Sequence, residues 1–193
     1  NAYPRKISMS DVHVEREVWK RPNVNGKNIC HRFLLSMDLN MKSFILSMGI
    51  VLLSTSVLAS EQRCLAEALY FEARDQGWQG MLAVGVVIQN RVRDKRYPDT
   101  VCKVVRQGRY WKGNPVKNAC QFSYYCDGKH ERPGEKSAWA DAKEIAALLR
   151  TTGVSVRGLE KATHYHAVWV RPVWSKALKR CQKIGQHIFY TEK

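Results

Sequence analysis

Apolar residues recur at helical spacing in three stretches of this 193-residue chain. In "CLAEALYFEARDQG", Leu65, Ala68 and Leu69 form one stripe, which predicts a helix over 64–74 with Gly77 as its stop. Met81, Val84, Gly85, Ile88 and Val92 fall at i, i+3, i+4, i+7 and i+11, which predicts a second helix over 78–93. The turn "RYPDT" follows, and Pro98 blocks any continuation. Trp139, Ala142, Ala146 and Leu149 share a stripe, giving a third helix over 137–150. The glycine-rich stretch 106–135 between them reads as loop. After Gly153 the period changes: "ATHYHAVWV" and "GQHIFY" alternate residue types over strand-like lengths. The expected fold is a small α+β domain, dominated by helices and carrying a short β-sheet.

The first sixty residues follow a different pattern. Met41 and Lys42 begin a run that is apolar from Phe44 to Leu58 and ends in Val57-Leu58-Ala59. A charged start, a short apolar centre and a small-residue end are the layout of a secretory signal peptide, expected here over 41–59. The competing reading is a membrane anchor, for which the run is short and interrupted by Ser and Thr. Residues 1–40 would then lie upstream of a leader and are expected to be a non-native extension. That leaves 60–193 as a single catalytic domain, exported to the periplasm or secreted.

Charge and cysteine usage narrow the picture. Lys and Arg number 32 against 17 Asp and Glu, a net charge of +15. Such an excess favours a polyanionic partner: nucleic acid, an anionic membrane surface or bacterial wall polymers. Cys64, Cys102, Cys120, Cys126 and Cys181 fall in the expected exported part, where disulfides are permitted. Pairing is open, although the short loop from Cys120 to Cys126 suits one bridge. No C-x-x-C pair occurs, so a zinc cluster is not expected.

Two carboxylates sit in the first predicted helix, and their positions differ. At ~100° per residue, Leu65, Ala68 and Leu69 all lie within about 60° of Glu72, whereas Glu67 falls about 140° away. Glu67 has Arg63 four residues back, an ordinary surface ion pair. Glu72 projects from the apolar stripe. A carboxyl held against apolar groups is harder to ionise and can donate a proton near neutral pH. The alternative is a buried ion pair, with Arg91 the candidate partner.

"ALYFEAR", "GWQGMLAVGVVIQNRV", "YPDTVCKVV", "CQFSYYCDG" and "ATHYHAVWVRPVW" occur in this order over 64–190. Together they resemble the SleB-type cell wall hydrolase family. The resemblance implies a fold similar to lysozyme and lytic transglycosylases, and cleavage of peptidoglycan glycan strands. It places the catalytic role on the glutamate that heads E-A-R, here Glu72. Many members read E-A-R-G-E; this chain has Asp75-Gln76 in place of the last two residues. One possible auxiliary acid is therefore missing. A lytic transglycosylase needs a single carboxylate. Asp75, Asp99 and Asp127 are the candidates should a second be required, and each also suits a turn or cap.

Substrate contacts are expected from several of the same blocks. Gln121 and Ser123 would share one face of an extended segment, alternating with Phe122 and Tyr124; a disulfide-closed loop with a core Phe is the plainer alternative. The resemblance puts His164 and Tyr165 near the cleft, and on a strand at most one of them would line it directly. Asn90 could hydrogen-bond to the first helix or cap its own. His164 and His166 share a strand face but lack a third ligand, so no metal and no cofactor are expected. Trp111, in the basic loop "GRYWKGNP", is a further candidate for substrate contact. The competing classes are a peptidoglycan-binding module without activity and a secreted nucleic-acid-binding protein. The first needs no buried acid. The second lacks both a stripe of basic residues and a metal-binding acid cluster. The expected partner is peptidoglycan, with an activating protein left open, no nucleic acid and no membrane span after leader cleavage.

Overall fold

The computed structural model describes residues 41–193. Helix α1 spans Met41–Ala73, α2 Gly77–Arg93 and α3 Val101–Val105. A hairpin of β1 (Gly108–Trp111) and β2 (Asn114–Cys120) follows, then α4 (Lys136–Thr152). Strands β3 (His164–Ala167), β4 (Lys179–Ile184) and β5 (His187–Thr191) complete an antiparallel sheet in the order β3-β5-β4. The architecture is α+β, with helices dominant. Among the described residues no helix is long and apolar enough to cross a membrane. The expectation for 1–40 lies outside the described residues.

Helix α1 begins well before the predicted start at 64. No Gly or Pro occurs between Ile50 and Gln76, so nothing in the backbone chemistry interrupts the helix there. It ends at Ala73, and a single 3-10 turn (Arg74–Gln76) leads into α2. Gly77 sits at this junction with φ of 65°, a left-handed conformation open to glycine at no steric cost. It starts the second helix as well as stopping the first.

The core forms where α1, α2 and α4 meet. Leu65, Leu69, Met81, Val84, Ile88, Ile145 and Leu149 are all buried there. Gly85 marks the closest approach: a Cβ at this position would lie 2.3 Å from Leu149 Cδ1 and 3.1 Å from Leu69 Cδ2. A disulfide from Cys64 to Cys102 fastens α3 to α1. Glu61 accepts a hydrogen bond from the Cys102 backbone N–H, and Thr100 caps the same helix by accepting from Lys103 N–H. The Tyr70 hydroxyl accepts from the Gly134 and Glu135 amides, fixing the entry to α4.

The sheet is held to the helices at both ends. Asn90 Nδ2 donates to the carbonyls of Leu159 (2.8 Å) and Ala162 (2.9 Å), and Arg91 Nε to that of Thr163 (2.7 Å). These bonds set where β3 begins. Near the turn between β4 and β5, Gln76 Oε1 accepts from the Gln186 N–H at 2.7 Å. Between these ties Phe189 is fully buried against the helices.

Three elements depart from the pattern expected over this region. Residues 106–135 are not all loop: they contain the β1–β2 hairpin, turned by Lys112 and Gly113 at positive φ. All four residues of β1 are exposed, so no burial alternation marked the strand. Strand β4, "KRCQKI", carries three basic residues and has no apolar face to read. Helix α3 is too short to show a period.

Candidate active site

A cavity of about 350 Å³ opens between the C-terminal ends of α1 and α2, and β3 and β5. Glu72 is the only Asp or Glu on its wall. The other walls are Arg91 from α2, Gln121 and Phe122 after the hairpin, His164 to Ala167 on β3, Val170 and Trp174 beyond it, and His187 on β5. A second cavity of about 350 Å³ lies beside α3, lined by Lys103, Arg106 and Tyr110 but by no carboxylate. Of these two cavities, only the first holds a carboxylate on its wall.

Glu72 reaches this wall because its helix buries the stripe formed by Leu65, Ala68 and Leu69. The Tyr165 hydroxyl donates to Glu72 Oε2 at 3.0 Å. Burial pushes the Glu72 carboxyl above the ordinary range; the Tyr165 hydrogen bond and the Arg91 charge pull it back only in part. No salt bridge reaches Glu72 among the described residues, so the buried pair with Arg91 does not form. Glu67 lies on the outside of the same helix and accepts from Arg63 Nε at 2.8 Å.

Tyr165 shares a sheet face with Phe189 and His187, and its ring lies 5.1 Å from that of His187. His164 and His166 lie on the opposite face, where Trp174 packs against both at 5.3 and 5.6 Å. His164 and Tyr165 nevertheless both line the cavity, contrary to expectation. Strand β3 is a four-residue edge strand, so the cavity extends around it and meets both faces. His166 Nδ1 donates to the Ala167 carbonyl, and its Nε2 accepts from the Tyr190 hydroxyl. Burial lowers the pKa of both His164 and His187, so these imidazoles are neutral at pH 7. His187 Nδ1 is buried without a hydrogen-bond partner.

The segment after β2 also differs from expectation. It is not extended: Ser123–Cys126 is a 3-10 turn closed by the Cys120–Cys126 disulfide. Gln121 is exposed and Phe122 buried, and both line the cavity; Ser123 points to solvent elsewhere. Tyr124 is buried behind the wall, stacked on Phe71 with ring centroids 4.9 Å apart. Asn90 does not reach α1; its Oδ1 accepts from Arg93 Nη1 at the end of its own helix, and its Nδ2 fixes the segment leading into β3. Trp111 is exposed on the hairpin, away from the cavity.

Arg91, Trp174, Val170 and His187 were not singled out as substrate-contacting residues, and all four line the cavity. The sequence points to Arg91 only as the alternative ion-pair partner of Glu72. Asp75, Asp99 and Asp127 lie off the wall. Asp99 pairs with Lys103, and Asp127 accepts from the Lys129 N–H. Among the described residues no group of three or more His, Cys, Asp or Glu could hold a metal ion.

Fold and cavity together define a helix-dominated α+β domain with one half-buried carboxyl on the cavity wall. A family model described as Cell Wall Hydrolase matches residues 75–190, and the chain belongs to that family. The match begins three residues after Glu72. The fold is similar to the catalytic domain of the germination-specific lytic transglycosylase SleB from Bacillus anthracis, with a TM-score of 0.51 and 23% identity. That alignment covers 68% of this chain and 93% of the other. The catalytic domain of the Bacillus cereus SleB protein aligns with a TM-score of 0.48 and 23% identity, over 68% of this chain and 89% of its own. A search of curated proteins finds no match. Membership in a cell wall hydrolase family and two disulfides fit an extracytoplasmic enzyme.

Proposed function

We propose that the chain cleaves peptidoglycan glycan strands between N-acetylmuramic acid and N-acetylglucosamine as a lytic transglycosylase, with Glu72 as both acid and base. The observation that carries this reading is the isolation of Glu72: one carboxyl on the cavity wall, half-buried and bonded to a phenol rather than to a cation. A two-carboxylate hydrolysis would need a second acid facing it, and the wall has none. Glu72, whose carboxyl burial holds above the ordinary range, gives its proton to the bridging oxygen as the bond from C1 to that oxygen breaks. The carboxylate left behind is stabilised by the Tyr165 hydroxyl and by the Arg91 charge. It then takes the proton of the muramyl 6-hydroxyl while O6 closes onto C1. The product is a 1,6-anhydro end, and Glu72 regains its proton.

Residues 41–59 serve in this reading as a leader removed after Ala59, leaving 60–193 as the exported catalytic domain. Gln121, His164 and Trp174 would hold the sugar rings, with an aromatic face and polar groups on one wall. The test is release of soluble fragments from purified peptidoglycan by the protein and by Glu72→Gln side by side. Release that stops in the variant supports the reading. Equal release by both contradicts it.

A further inference from the structure

Arg91 is a buried cation with unused donors. The residue is 6% exposed and is the only Lys or Arg on the cavity wall. Its Nε donates to the Thr163 carbonyl, and its guanidinium lies between the rings of Tyr97 (5.3 Å) and Phe122 (5.6 Å). Its two terminal nitrogens have no acceptor among the described residues, and no salt bridge reaches it. The one carboxyl nearby, Glu72, is bonded to Tyr165 instead. Burying a charge without a counter-charge is costly, and a tie to one carbonyl needs only a neutral donor. A planar fork held by two rings and one carbonyl, with its free donors on a cavity wall, is matched to an incoming carboxylate.

Resting on the glycan-strand reading above, we propose that Arg91 binds the free lactyl carboxylate of N-acetylmuramic acid, so that the preferred substrate is a strand stripped of its stem peptides. That carboxyl is carried by the same sugar whose C1 is attacked, which suits a cation on the same wall as Glu72. Stem peptides also bear carboxylates, but these lie further along a flexible chain. In intact wall the lactyl carboxyl is tied up as an amide, a neutral acceptor that gains less from a guanidinium. A reaction that hydrolyses the bond between lactyl group and peptide must therefore act before this enzyme.

The test compares three purified substrates: strands with stem peptides, stripped strands, and stripped strands whose lactyl carboxyls are capped as methylamides. Stripped strands should be cleaved with at least about tenfold higher kcat/KM than capped ones, the ratio that ~1.4 kcal/mol gives. In Arg91→Gln that ratio should collapse towards one, and Arg91→Lys should retain part of it. A damaged fold would slow both substrates without moving their ratio, so the ratio isolates recognition. Equal rates on stripped and capped strands with the unaltered protein overturn the proposal. Faster cleavage of peptide-bearing strands also overturns it, by moving the carboxylate to the peptide. Cleavage of none of the three is a different failure: it removes the glycan-strand reading itself.

Discussion

The two sides of α1 near its end present the same functional group to opposite surroundings. On the outer side Glu67, with 21% of its side chain exposed, meets Arg63, which is 75% exposed and shares its charge with water. On the inner side Glu72 meets apolar neighbours, a tyrosine hydroxyl and a cavity. Burial disfavours the carboxylate form on the inner side. The difference comes from helical rotation alone, since both residues belong to one regular helix. Position on the helix, more than residue type, decides which glutamate is available for chemistry.

The contrast can be broken by mutation. Glu72→Gln should lower the rate of glycan cleavage by about 10²–10⁴-fold, the span of a lost general acid–base group, as measured by fragment release. Tyr165→Phe should cost about tenfold, the effect of losing one hydrogen bond to a charged group, and should also move the pH profile. The phenol favours the ionised form of Glu72, so its removal raises the carboxyl further. The fall in activity at higher pH should then shift upward in a pH–rate series.

Stability should show the same asymmetry more weakly. The Glu72 carboxyl is raised in the folded state, so its contribution to folding is fully present below the unfolded glutamate range, about 4.3. That contribution is lost as pH rises through the raised value. Glu72→Gln should therefore melt at a higher temperature than the unaltered protein at pH 7, with the gap closing below about pH 4. A variant that melts lower at pH 7 would mean that the carboxylate is well solvated after all. The smallest effect belongs to Glu67→Gln, which should leave the cleavage rate and the melting temperature unchanged within error.

The Glu72 side of the cavity was legible because helical period is a local property: Leu65, Ala68, Leu69 and Glu72 lie within eight residues. The opposite wall was less legible because several distant segments converge on it. Tyr165 meets Glu72 across 93 residues, and Asn90 meets Ala162 across 72. Local alternation separated Tyr165 from His164 and His166 onto opposite faces, yet a cavity running round a short edge strand meets both. Ser123 was misplaced for a related reason: the disulfide at Cys120 and Cys126 bends into a 3-10 turn a segment that reads as extended. The hairpin and β4 carry almost no apolar face, so nothing in their residue pattern distinguished them from loop.

The central claim is that one carboxyl carries both proton transfers, with the substrate's own hydroxyl as nucleophile. It is tested most directly by cleaving purified peptidoglycan in water enriched in heavy oxygen and weighing the soluble products. The account predicts anhydro-muramyl ends that carry no label. Reducing ends labelled from the water would contradict it, because a held water and a group to activate it would then have to share the cavity with Glu72.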